Sequence, residues 1–360
     1  AGGGAVADER SPGVGLAAGS VFGSRLAGYR LERRIGAGGT ALVFLARDER
    51  LGLPVALKIL TPAVAADEAF RHRFIRESRA AGAVADPHII PVYGVGETDG
   101  VLYLAIRYVR GGDVGSLVRR AGPLPAARVV PIICPVASAL DAAHAVGLVH
   151  QNVKPANMLL EPRPGRPDHV FLSDFGLSKD MQPGLRAGPG RFPGTPHYTA
   201  PEQIAGWPVD GRADQYALAC AAFEMLAGEV PFAPLEGSAV IGAHMNSAPP
   251  ALADRRPDLP PAVSPVLARA MAKAPHDRFG SCRQFADALC DALGLEPYDP
   301  GPAETPAALR PAAPDQRRPE PAGRASSRRP RRPSRRRRLV AVVLIMTAVL
   351  AAAAVAAAML

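Results

Sequence analysis

His150-Gln151-Asn152-Val153-Lys154-Pro155-Ala156-Asn157, with Asp174-Phe175-Gly176 beginning seventeen residues after Asn157, is the stretch that decides how this 360-residue chain is read. It gathers a few side chains of distinct chemistry. Asn157 and Asp174 carry hard oxygens of the kind that coordinate a divalent cation. Lys154 adds a positive charge two residues past Asn152. Asn152 can accept a hydrogen bond through its amide oxygen, but it cannot take up a proton at neutral pH.

Working outward, the chain upstream reads as strands. Leu31–Ile35 and Leu42–Arg47 flank the Gly-rich turn Gly36-Ala37-Gly38-Gly39-Thr40-Ala41, and Pro54–Leu60 follows. Residues 66–81 have helical spacing, Val101–Val109 returns to strand, and after about residue 113 the pattern is mainly helical, as in Ala126–Val146 and Arg212–Gly228. The turn lets a backbone approach a phosphate closely, since glycine has no Cβ in the way. Within Val55-Ala56-Leu57-Lys58 a lysine sits in an apolar strand, which is costly unless it is paired; Glu77 in the following helix is the expected partner.

Together these motifs resemble the protein-kinase signature set: the loop G-x-G-x-x-G-x-V, the strand V-A-I-K, the catalytic loop H-R-D-x-x-x-x-N and D-F-G. The third loop glycine is Ala41 here. The resemblance covers about residues 29–293 and implies an α+β, bilobal protein-kinase-like fold, with a small sheet-rich N-lobe (29–109) and a larger helical C-lobe (110–293). It also implies ATP and Mg²⁺. Gly36, Gly38, Gly39 and Val43 would cover the nucleotide. Lys58, oriented by Glu77, would meet the α- and β-phosphates, Asn157 and Asp174 the metal, and Lys154 the region of the γ-phosphate. Ile106–Val109, with Tyr108, would be the hinge against the adenine, and Asp113 lies where relatives contact the ribose. His150 and Phe175 are expected to stack as structural residues.

Two departures bear on chemistry. In active relatives position 152 is the Asp that accepts or orients the substrate hydroxyl proton; here it is Asn152. The Arg before it, which in the family pairs with an activation-loop phosphate, is Gln151. Between Gly176 and Gly194 the only hydroxyl residue is Ser178, so this stretch does not look built for ordering by phosphorylation; its glycines and prolines predict a mobile loop. The scaffold motifs are kept. Gly194–Glu202 resembles the end of a Ser/Thr-kinase activation segment. Arg278 fits the distant partner of Glu202, and Asp214 the buried Asp that holds the catalytic loop. The wording of the motifs is similar to bacterial eukaryotic-type Ser/Thr kinases.

The net charge of +9 is unevenly spread: residues 317–338 hold eleven arginines and one acid, leaving 31 basic against 32 acidic residues elsewhere. A near-neutral folded part argues against nucleic acid as a partner. Residues 1–28, rich in Gly, Ala and Ser, read as a flexible leader. The Pro- and Arg-rich stretch 294–338 has almost no large apolar residues and reads as a disordered linker. Leu339–Leu360 carries no charge; at ~1.5 Å per residue it would span about 33 Å, enough for a ~30 Å hydrocarbon core. Arg335–Arg338 before it place the rest of the chain in the cytoplasm by the positive-inside rule. The expectation is a single-pass protein of the cell membrane whose 317–338 segment meets anionic lipids. Cys134, Cys220, Cys282 and Cys290 show neither a C-x-x-C pair nor metal-ligand spacing and read as reduced thiols in helices. Three functions stay open: an ATP–Mg²⁺-binding pseudokinase, a slow or compensated Ser/Thr kinase, and a nucleotide-free docking platform. The protein substrate or partner is not specified by the sequence.

Overall fold

The computed structural model describes residues 23–38, 40–175 and 196–296. The expectations for Gly39, Ser178, the linker, the Arg-rich stretch, the apolar C-terminal segment and most of the leader fall outside the described residues.

The N-lobe is one antiparallel sheet of six strands, β1 (Arg25–Leu26), β2 (Tyr29–Ala37), β3 (Ala41–Asp48), β4 (Pro54–Leu60), β5 (Val92–Thr98) and β6 (Val101–Arg107), in the order β1-β2-β3-β4-β6-β5. The three strands expected around the Gly-rich turn are β2, β3 and β4. β1 begins inside the stretch read as leader. Alternation sorts the side chains of β4 between two cores. Val55, Leu57 and Ile59 join Leu31 and Phe44 on one face. Ala56 and Leu60 face the other way, with Leu102, Leu104 and Ile106 of β6, against Phe70 and Phe74. Lys58 shares the parity of Ala56 and Leu60 and lies in register between Val43 and Leu104, so its position in the strand aims it at this second face.

Phe70 and Phe74 belong to α2 (Glu68–Ala83), which follows the short α1 (Pro62–Ala65). Asp67 caps α2 by accepting from the Phe70 amide. The buried stripe Phe70, Phe74, Ser78, Ala81 has helical spacing and fixes the rotation of α2 against the sheet.

The lobes are joined through Gly111-Gly112-Asp113. A Cβ at Gly111 would run into the Leu160 carbonyl, so the connection can lie this close only as glycine. The Leu160 amide donates to the Gly112 carbonyl. The C-lobe holds α3 (Val114–Ala121), α4 (Ala126–Ala145), the hairpin β7 (Met158–Glu161) and β8 (His169–Leu172), α5 (Pro201–Ala205), α6 (Gly211–Ala227), α7 (Gly237–Asn246), α8 (Val263–Ala270) and α9 (Cys282–Ala292). α6 is buried nearly all round, as a central core helix should be; α4 and α9 pack on it and on each other. α4 stays helical through Pro131 and Pro135, each of which removes a ladder donor. It is the one described helix long and apolar enough to cross a membrane, yet most of it is buried in this core.

Candidate functional site

The site lies where β4, the segment 150–157 and the end of β8 meet. Lys58 Nζ stands 2.9 Å from Asp174 Oδ2, with the lysine side chain only 11% exposed. Burial pushes the Asp174 carboxyl up, but the Lys58 charge and hydrogen bond, with His150 and Lys154 nearby, overcome it and hold it below the ordinary carboxylate range. Burial pulls the Lys154 ammonium below its usual range; Asp174 opposes this and Lys58 reinforces it.

The expected Lys58–Glu77 pair is not the one formed. Glu77 lies 3.5 Å from Arg76, with a quarter of its side chain exposed. The physical reason is the rotation of α2: the Phe70–Phe74–Ser78 stripe takes the core, leaving Glu77 beside it. Asp174 has a left-handed backbone, φ 72°, and meets Lys58 instead.

The segment 150–157 is held from beneath. Asp214, fully buried at the start of α6, accepts from the His150 amide (2.8 Å), the Gln151 amide (2.7 Å) and His144 Nε2 (2.8 Å). These bonds support Gln151 at φ 60°, a left-handed conformation that costs a non-glycine residue on the order of 1–3 kcal/mol. Burial lowers His144, yet hydrogen bonds to Asp141 and Asp214 more than restore it, pushing it up to about 9. His150 is fully buried; its Nε2 donates to the Ser173 carbonyl at 2.9 Å and its Nδ1 accepts from the Asn152 amide at 3.2 Å. Both contacts are met by the neutral ring, and burial pushes its pKa down. The ring packs against Phe175 with centroids 4.4 Å apart and planes inclined by 58°, a tilted contact in place of the expected stack.

Asn157 Nδ2 donates to the Asn152 carbonyl at 2.8 Å. This leaves Asn157 Oδ1 without a donor among the described residues, and the Asn157 carbonyl is tied to Ser173, the neighbour of Asp174. The two hard-oxygen residues, Asn157 and Asp174, are thus linked through one residue. This donor set suits a hard dication such as Mg²⁺. The Asn152 side chain has no hydrogen-bond partner among the described residues.

Other predicted site residues have local partners. Asp113 caps α3, accepting from the amide and hydroxyl of Ser116 at 2.7 Å each. Tyr108 accepts from Arg33 at 3.2 Å. Gly36 lies near the end of β2, in register with Val43, and Gly38 follows in the turn to β3, where its amide donates to the Ala41 carbonyl; Val43 packs beside the α2-facing core. Arg278 makes a bidentate pair with Glu202 at 2.7 and 2.8 Å, both side chains essentially buried. Two contacts escaped the sequence reading. His144 is the third donor to Asp214. Gln203 bridges the Ala200 amide and the Gln151 carbonyl, tying α5 to the segment 150–157. No local motif marks either, since each depends on elements distant in sequence.

A family model for the protein kinase domain matches residues 29–289. The serine/threonine-protein kinase PknF of Mycobacterium tuberculosis is 45% identical over 277 residues, covering 76% of this chain and 58% of the relative. The serine/threonine-protein kinase PknJ of the same organism is 42% identical over 295 residues, covering 80% of this chain and 49% of the relative. The chain thus spans about half the length of the curated relatives it matches. Among solved structures, the M. tuberculosis PknI kinase domain is 41% identical, with a TM-score of 0.61, over 75% of this chain and 98% of that one.

Proposed function

This chain belongs to the protein kinase domain family, in its bacterial Ser/Thr branch, and from that premise we propose that it binds ATP–Mg²⁺ while transferring phosphate to protein Ser/Thr only weakly. The observation that carries this reading is the contrast at one site. Lys58, Asp174, Asn157 and Lys154 are assembled, while Asn152 offers an amide where a proton acceptor is needed.

Lys58 and Lys154 bind and orient the phosphates, and Asn157 and Asp174 would hold the metal. When bound, Mg²⁺ neutralises phosphate charge as it shifts during transfer. Asn152 can still accept a hydrogen bond from a substrate hydroxyl and orient it, but it leaves the proton without a base. Positioned acid–base groups contribute roughly 10²–10⁴-fold, or about 3–5 kcal/mol. Phosphoryl transfer relies mainly on positioning and charge, so the consequence is attenuation rather than abolition. The protein acts in signal transduction as a conformational switch read by partners, and is anchored to the membrane by 339–360 with 317–338 on anionic lipids.

Thermal melting of the full chain with and without ATP and Mg²⁺ tests the nucleotide half. Ligand at 100 times its Kd adds about 2.7 kcal/mol. A Mg²⁺-dependent rise of several degrees that Lys58→Met abolishes is the expected result. No rise at millimolar ATP would leave a nucleotide-free docking role instead.

A further inference from the structure

Away from the nucleotide site, Asp141, His144 and Cys282 converge on a cavity of about 440 Å³ where the end of α4 meets the starts of α6 and α9. One carboxylate oxygen, one imidazole nitrogen and the thiol sulfur all lie within 4.8 Å of one another. Asp141 and His144, three apart on α4, share a helix face, and Asp141 Oδ1 is 3.8 Å from His144 Nδ1. Ligands ~2.0–2.3 Å from a tetrahedral zinc stand roughly 3.3–3.8 Å apart, so closing the trio needs side-chain shifts of only about 1 Å.

Three features organise the trio. Asp141 accepts from the amides of Cys282 and Arg283, at 2.9 Å each, which pins the start of α9 beside α4; it also bonds Ser281, His144 and the Cys282 thiol, and the last two bonds free their lone pairs when a metal replaces those protons. His144 Nε2 meets the buried Asp214 carboxylate at 2.8 Å, which leaves Nδ1 to face Asp141. Metal-bound histidines commonly rest their second nitrogen on a carboxylate in this way, fixing tautomer and ring orientation. Gly211 lays its backbone against the ring, where a Cβ would run into Nδ1. Cys282 is 1% exposed.

We propose that Asp141, His144 and Cys282 form a zinc-binding site whose fourth position opens to the cavity. The mixed O, N and S set suits Zn²⁺ better than Mg²⁺. Binding forms bonds from the metal to an Asp141 oxygen, His144 Nδ1 and Cys282 Sγ, and releases the Nδ1 proton and the thiol proton to solvent. Two protons leave as one dication enters, so the cluster keeps its net charge. The competing occupant of the same place is the protonated imidazole bridging Asp141 and Asp214. Since Asp214 also holds the His150 and Gln151 amides, the metal would lock α4 and α9 to the support of segment 150–157. Nothing in this proposal depends on the reading of Asn152.

Titration of the reduced full chain with Co²⁺, followed by absorption, tests it. The expected result is one Co²⁺ per chain with a thiolate-to-cobalt charge-transfer band, displaced by Zn²⁺. Cys282→Ser removes the band, whereas Cys134→Ser and Cys290→Ser keep it. Cobalt at Asn157 and Asp174 would bind through oxygen and give no such band. Absence of the band at one equivalent, or its survival in Cys282→Ser, overturns the proposal. Should Cys282→Ser fail to fold, Asp141→Asn replaces it, since its amide oxygen keeps one of the two backbone amides that the carboxylate accepts. At least tenfold weaker Co²⁺ binding is expected there, and unchanged affinity overturns the site.

Discussion

A single atom separates Asn152 from the Asp that its surroundings suit: an amide nitrogen in place of a carboxylate oxygen. The volume is almost unchanged and the side chain has no hydrogen bond to lose among the described residues, so Asn152→Asp should leave the fold intact. Its effect belongs to chemistry. With Lys58, Asn157 and Asp174 in place, the variant should transfer phosphate from ATP to a generic Ser/Thr protein substrate about 10²–10⁴-fold faster than the parent, scored by radiolabel incorporation. Equal and measurable rates would mean that another group already takes the proton, which is the slow, compensated kinase reading; no transfer by either protein would mean that the generic substrate is wrong or that the chain is a docking platform. At this scale the sequence was informative about residue types and less so about partners. Lys58, Asn157 and Asp174 were legible because their spacing is local to motifs. The Lys58 partner was not, because it depends on how α2 is rotated and on the left-handed backbone of Asp174.

Between elements, buried polar contacts hold what apolar packing alone leaves free. Arg278 and Glu202 join the segment before α9 to α5, and Arg278 also donates to the Arg212 and Ala272 carbonyls. Removing one partner strands a buried charge, a loss of about 3–5 kcal/mol. Glu202→Gln should therefore lower the urea midpoint strongly with little change in slope. This pair was legible in the sequence; β5 was not, since Val92–Thr98 carries two glycines and little alternation and is recruited by pairing with β6. A second polar link closes the lobes. His88 Nδ1 meets the Val170 carbonyl and His169 Nε2 the Pro87 carbonyl, each at 2.9 Å, with the rings stacked at 4.6 Å. Burial depresses both from the ordinary 6.5, His169 to about 4. A depressed histidine is neutral when folded and protonates when unfolded, so its contribution is full above about 6.5 and is lost as pH falls towards 4. Urea unfolding at pH 7.5 and pH 5 should show an acid loss that His169→Gln reduces by no more than about 1 kcal/mol, because solvent screens the half-buried ring. An identical pH dependence in both proteins would assign the loss to carboxylates instead.

For the whole molecule, the proposed membrane attachment rests on segments outside the two lobes and can therefore be tested apart from the kinase fold. Among the described residues the one helix of sufficient length and apolarity, α4, lies mostly within the core. What remains is the pair of segments read from sequence alone: eleven arginines in 317–338 and the uncharged 339–360. Their physics differs. Arginines near an anionic surface contribute about 1 kcal/mol each, an attraction screened over a Debye length of ~8 Å at physiological salt. A spanning helix is held by apolar transfer and ignores salt. Vesicle flotation of three lengths should separate the two. Residues 1–296 should stay in the aqueous fraction. Residues 1–338 should float only with anionic vesicles and come off as salt rises. The full chain should float with neutral and anionic vesicles alike and resist salt. A full chain that salt strips from vesicles as readily as the 1–338 form would reduce 339–360 to a peripheral segment and leave the arginines as the attachment.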